Sequence, residues 1–142
     1  MKRDQLVLAA LAAGGENATF SPVQIQKLFF LIDREAASAT GGPHFAFRPY
    51  DYGPFDHAVY TTLDVLAASG FASIRLSNRY RVYSLTPTGF QAGTRALEGL
   101  APDVRAFIGN LATWIRQLNF QQLVTEIYRH YPDMKVNSVF NG

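Results

Sequence analysis

The chain has 142 residues, 48% of them hydrophobic and 13% aromatic, which is enough for one domain with a core of its own. Its formal net charge of +2 falls short of the excess that would mark a nucleic-acid binder by charge alone. Cysteine is absent, which excludes disulfides, thiolate metal sites and a cysteine nucleophile, and fits a reducing cytoplasm.

The opening MKRDQLVLAALAAGG pairs a basic start with a short apolar run, as a signal peptide does. Asp4 and Gln5 interrupt the passage from one to the other, and Leu6 to Ala13 supplies only eight apolar residues. The segment is therefore predicted to be a first helix, from Arg3 to Ala13, ended by Gly14-Gly15. No stretch reaches the roughly 18 continuous apolar residues of a membrane span, so the chain reads as soluble and cytoplasmic.

A second helix starts at Ser21-Pro22-Val23-Gln24, which provides a capping serine, a proline at the first helical position and a glutamine that closes a capping box. Ile25, Leu28, Phe29 and Ile32 then make one buried face, and the helix is expected to run to Ser38. Gly41-Gly42-Pro43 breaks the chain, and Phe45 and Phe47 alternate with Ala46 and Arg48 in a short extended segment. Tyr50-Asp51-Tyr52-Gly53-Pro54 reads as a turn whose proline launches a third helix. The inward stripe of that helix is Phe55, Val59, Leu63 and Leu66, and Gly70 stops it.

Phe71 to Leu76 and Arg79 to Leu85 read as two antiparallel strands around a Ser77-Asn78 turn. Thr86-Pro87 opens a fourth helix that runs to Glu98 and ends at Gly99. Helix, hairpin with a basic edge, then helix is the order of a winged helix. The predicted fold is mainly α with a small β-hairpin, a winged-helix-like single domain with additional C-terminal helices. Those helices carry Ile108, Leu111, Ile115 and Leu118, and then, after an Asn119–Gln122 capping box, Phe120, Leu123, Ile127 and Tyr131. Pro132 ends the last one. Val136, Val139 and Phe140 in the tail are expected to pack back on the domain.

Three fragments, QIQKLFFLID (24–33), FRPYDYGPFDHAVY (47–60) and IYRHYPDMKVNSVF (127–140), resemble the YwgA-like and SocA-like bacterial proteins of the Panacea-domain group. The most specific part is Lys27-Leu28-Phe29 followed by Tyr52-Gly53-Pro54, and the ending is more similar to the YwgA-like branch than to the antitoxin branch. The resemblance implies a small helical domain that serves as an antitoxin, adaptor or other regulatory partner, with no known catalysis.

The residues themselves offer little chemistry. His44, His57 and His130 are scattered without metal-ligand spacing, and no phosphate-binding or nucleophile-elbow motif is present, so no catalytic residue, metal or cofactor is expected. Asp51, Asp56 and His57 come nearest to an acid–base cluster, but Asp56 reads as an ordinary first-turn acid. Lys27 is unusual among Ile25, Leu28, Phe29, Phe30 and Leu31. It is expected to pair with Asp51 or Asp56, or else to face a ligand.

A protein partner is therefore the expected ligand, met by Lys27, Phe30, Arg48, Tyr50, Asp51, Tyr52, Asp56 and Tyr60, with the tyrosines as amphipathic anchors. The alternative is a DNA-binding regulator, a homodimer through its C-terminal helices, that contacts phosphates with Arg75, Arg79 and Arg81 on the wing. Against it, the third helix holds no lysine or arginine and carries Asp56 and Asp64, so only weak, unspecific DNA binding is expected.

Overall fold

Helix caps punctuate the fold as the sequence announces them. In the computed structural model, which describes residues 1–140, the Ser21 and Asn119 capping boxes both close: Gln24 N donates to Ser21 Oγ at 3.3 Å, and Gln122 N donates to Asn119 Oδ1 at 2.8 Å. Thr86 Oγ1 accepts from Gly89 N at 3.1 Å and starts a further helix. The described residues form six α-helices and two small hairpins. In chain order these are α1 (Arg3–Ala13), α2 (Pro22–Thr40), β1 (Arg48–Tyr50), β2 (Gly53–Phe55), α3 (His57–Ala68), β3 (Ala72–Ser77), β4 (Tyr80–Leu85), α4 (Pro87–Glu98), α5 (Pro102–Arg116) and α6 (Phe120–His130). A 3₁₀ turn, Pro132–Lys135, follows.

The chain is mainly helical, as predicted, with the wing formed by β3 and β4. Phe20, between α1 and α2, bridges to Tyr83 in β4, exchanging N–H···O bonds of 2.8 and 2.9 Å. This bridge fastens the wing to the start of α2, and the order helix, bridge, helix, helix, hairpin is that of a winged helix. One core joins the elements: Leu6 to Leu11 of α1, Ile25 to Ile32 of α2, Val59 and Leu63 of α3, Ile108 and Ile115 of α5, and Leu123 and Ile127 of α6. The small residues of α1 let α4 approach closely. A Cβ built at Gly93 would stand 2.3 Å from the Leu8 carbonyl oxygen, so the two backbones touch where only glycine fits.

Several boundaries differ from expectation. The wing turn falls one residue later, with Asn78 and Arg79 at its centre, at φ 50° and 72°. Two positive φ values suit the twist of a two-residue hairpin, and they override the apparent Ser77-Asn78 signal. Helix two continues to Thr40 across a kink at Ala36, whose backbone is non-helical, before Gly41 stops it. Pro54 does not start a helix. It lies in β2, paired with Pro49, and Asp56 caps α3 through Ala58 N at 2.9 Å. In the tail, Phe140 packs on the core, but Val136 and Val139 are exposed, because backbone and polar contacts seat that segment.

Candidate functional site

The second hairpin, β1–β2, lies against the N-terminal half of α2, and two adjacent polar side chains of that helix hold it there. Gln26 clamps the backbone of Asp56 as a neighbouring strand would: its Nε2 donates to the Asp56 carbonyl at 3.0 Å and its Oε1 accepts from Asp56 N at 3.0 Å. Lys27 Nζ donates to the Pro54 carbonyl at 3.1 Å. Between Pro54 and Asp56, three backbone polar groups thus find partners on a helix face that is otherwise apolar. Gly53 makes the approach possible. Its φ is +100°, and an added Cβ would meet Tyr128 Cε1 at 3.3 Å and Lys27 Cε at 3.6 Å.

The C-terminal segment straps the same hairpin from outside. Val139 N donates to the Asp51 carbonyl at 3.0 Å, and Asn137 Nδ2 donates to the Pro49 carbonyl at 3.2 Å. Tyr50 stacks on Phe55 with ring centroids 5.3 Å apart, and Tyr52 meets Phe120 edge to face at 5.0 Å. Held this way, Tyr50, Tyr52 and Phe120 still expose 55%, 45% and 43% of their surface, so they form a fixed aromatic rim. Below the rim is a cleft of about 270 Å³ with Lys27 at its wall. A wider groove of about 690 Å³ shares Val23, Tyr52 and Phe120 with it and reaches Tyr80 at the wing.

Lys27 itself is buried, and burial pushes its ammonium from 10.5 down to about 7. Among the described residues it has no ion-pair partner. The expected pair with Asp51 or Asp56 does not form. Asp56 spends its carboxylate on Ala58 N and on Ala46 N, at 2.9 and 2.8 Å, and Asp51 sits on the exposed hairpin tip. Tyr60, half-buried, stacks with Tyr83 at 6.0 Å, and burial pushes its hydroxyl up.

Of the residues predicted to meet a partner, Lys27, Tyr50, Asp51, Tyr52 and Tyr60 line this one cleft. Arg48 is exposed on β1 opposite Phe55, and Asp56 is structural. Phe30 is a correction: it is 2% exposed, packed edge to face against Phe47 and Tyr131, because α2 is covered on that side too. Gln26, Phe120 and Tyr80 join the site without having been singled out. A polar residue inside the apolar run of α2 and an aromatic residue at the exposed first position of α6 were the signals available.

The wing carries Arg75 and Arg79 exposed, whereas Arg81 reaches Asp64 of α3 at 3.3 Å. An exposed pair of this kind adds little to stability, but it places an acid where a continuous basic stripe from wing to α3 would need a cation. Lys2 and Arg3 flank the outer face of α3, with Asp4 in the same groove. No group of three or more histidine or acidic side chains among the described residues is placed to hold a metal, and no helix there is long and apolar enough to cross a membrane. In comparisons with family models, curated proteins and solved structures, nothing matches this chain.

Proposed function

We propose that this chain is a non-enzymatic protein-interaction module, antitoxin- or adaptor-like in the sense that the Panacea resemblance implies, whose contact surface is the aromatic rim over α2. The observation that carries this reading is the fixed exposure of Tyr50 and Tyr52, on a hairpin clamped from below by Gln26 and Lys27 and strapped from above by the tail, beside Phe120 at the start of α6. Aromatic anchors that are rigid before binding lose little conformational entropy on contact, which is what a binding hot spot requires. Arg48 and Asp51, exposed beside them, supply polar contacts at the edge.

Pull-down from the native host alongside thermal unfolding tests this. Tyr50→Ala, Tyr52→Ala and Asp51→Ala should leave the melting temperature within a few degrees of wild type and weaken capture of a specific partner, each by roughly 1–3 kcal/mol for a central anchor. Variants that lose stability heavily while their folded fraction captures the partner normally would make the hairpin scaffold and move the interface elsewhere.

A further inference from the structure

Lys27 is 3% exposed, and its ammonium, with three donors, has a single protein acceptor, the Pro54 carbonyl. Yet Lys27 is not sealed in. It lines the cleft of about 270 Å³, where Val23, Tyr52, Phe55 and Phe120 supply apolar wall. A buried ammonium with donors to spare, in an apolar recess that opens outward, is short of one thing, an anionic acceptor.

We propose that this cleft binds a small carboxylate on a flat apolar body. The carboxylate accepts hydrogen bonds from Lys27 Nζ, and the body lies against the Tyr52, Phe55 and Phe120 rings. Among the described residues Lys27 is the only cation on the cleft walls, and Asp51 also lines it, so a monoanion matches the charge where a phosphate dianion does not. The volume is below the ~300–1,000 Å³ of drug-sized sites and holds a body of one or two rings.

Binding an anion holds the proton on Lys27, so affinity depends on pH. The other titratable groups facing it are Tyr50, Asp51 and Tyr52 on the hairpin, Tyr60 of α3, and Tyr128 of α6 across Gly53, while the nearby Asp56 turns its carboxylate to Ala46 N and Ala58 N. Burial moves Tyr60 and Tyr128 away from neutrality and brings Lys27 into it. Affinity for an acid therefore falls by about tenfold per pH unit above neutrality.

The cleft lies beneath the proposed partner surface, but the test uses the purified chain alone, so its failure leaves the partner reading standing, and the reverse holds too. Wild type and Lys27→Met are titrated by NMR with benzoate and indole-3-acetate and with their uncharged primary amides. Saturable millimolar or tighter binding of at least one acid is expected, with shifts centred on Val23, Tyr52 and Phe55. The amide should bind at least about tenfold more weakly, and Lys27→Met should lose the preference for the acid. Equal affinity for acid and amide, an unchanged acid preference in Lys27→Met, a flat pH profile, or no saturable binding of either acid would each overturn the proposal. Should Lys27→Met fail to fold, the amide comparison and the pH profile on wild type decide it.

Discussion

Lys27→Met is the sharpest perturbation this fold offers, because it separates burial from charge. The side chains are similar in length and the variant keeps the apolar contacts of α2, so what is lost is the ammonium and its bond to the Pro54 carbonyl. In the unfolded chain this lysine titrates near its ordinary value of 10.5, and in the folded chain burial brings it to about 7. Between those values the unfolded state binds the extra proton, so stability rises with pH across the window. The slope approaches 1.4 kcal/mol per pH unit, and the stability gained between pH 7.5 and 9.5 is roughly 2–3 kcal/mol. At pH 7 the same linkage makes the buried lysine cost about 4 kcal/mol relative to one left in water. Leaving the Pro54 carbonyl without its donor returns about 1–3 kcal/mol of that in Lys27→Met, so the variant should be more stable than wild type near neutrality by roughly 1–3 kcal/mol. Denaturant midpoints measured on both proteins at half-unit steps from pH 6.5 to 9.5 read both quantities, since the ionisation of the unfolded tyrosines is common to the two and cancels in their difference. Parallel pH curves for the two proteins would refute the reasoning, for then Lys27 keeps its ordinary titration and the cleft is wet enough to solvate it.

Gln26→Ala strands both the N–H and the carbonyl of Asp56 against an apolar helix face and should cost roughly 2–4 kcal/mol in the same denaturation assay, whereas Gln26→Glu should recover only the half that accepts. Gly93→Ala forces a methyl group toward the Leu8 carbonyl oxygen and should destabilise by about 1–3 kcal/mol or more, visible as a melting temperature lowered by several degrees. Wild-type DNA binding should be weak, salt-sensitive and indifferent to sequence in electrophoretic mobility shifts, and changing Arg75, Arg79 and Arg81 together to glutamine should abolish it. A sub-micromolar, sequence-specific complex at physiological salt would instead favour the winged-helix regulator reading.

Helices were legible wherever a cap sat at one end of a period. Ser21, Thr86 and Asn119 each place a side-chain oxygen on an orphan N–H, and α2, α4 and α6 begin where those residues stand. The wing was legible as two apolar strands around a turn, though the turn itself centres on Asn78 and Arg79. The β1–β2 hairpin was not. Its strands are three residues each, two of the six are proline and one is glycine, and such a composition scores as a turn. What makes it a hairpin is long-range, namely the Gln26 clamp and the Asn137 and Val139 bonds, which no local pattern contains.

The same cause explains why Lys27 was assigned the wrong partner. Ile25 through Ile32 of α2 is buried without a break, so the helix has no wet face to which a lysine could extend, and Gln26 and Lys27 must both find partners in the layer that covers them. That layer is a hairpin seen edge-on, rich in backbone carbonyls and poor in carboxylates, since Asp56 is committed to capping α3 and Asp51 rides on the tip. Glutamine matches such an edge completely, with one donor and one acceptor where a strand would have them. Lysine matches it only in part, because a carbonyl takes one donor and leaves the charge uncompensated. The mismatch at Lys27, set beside the match at Gln26 one residue earlier, separates a residue that only holds the hairpin from one with bonding capacity still to offer.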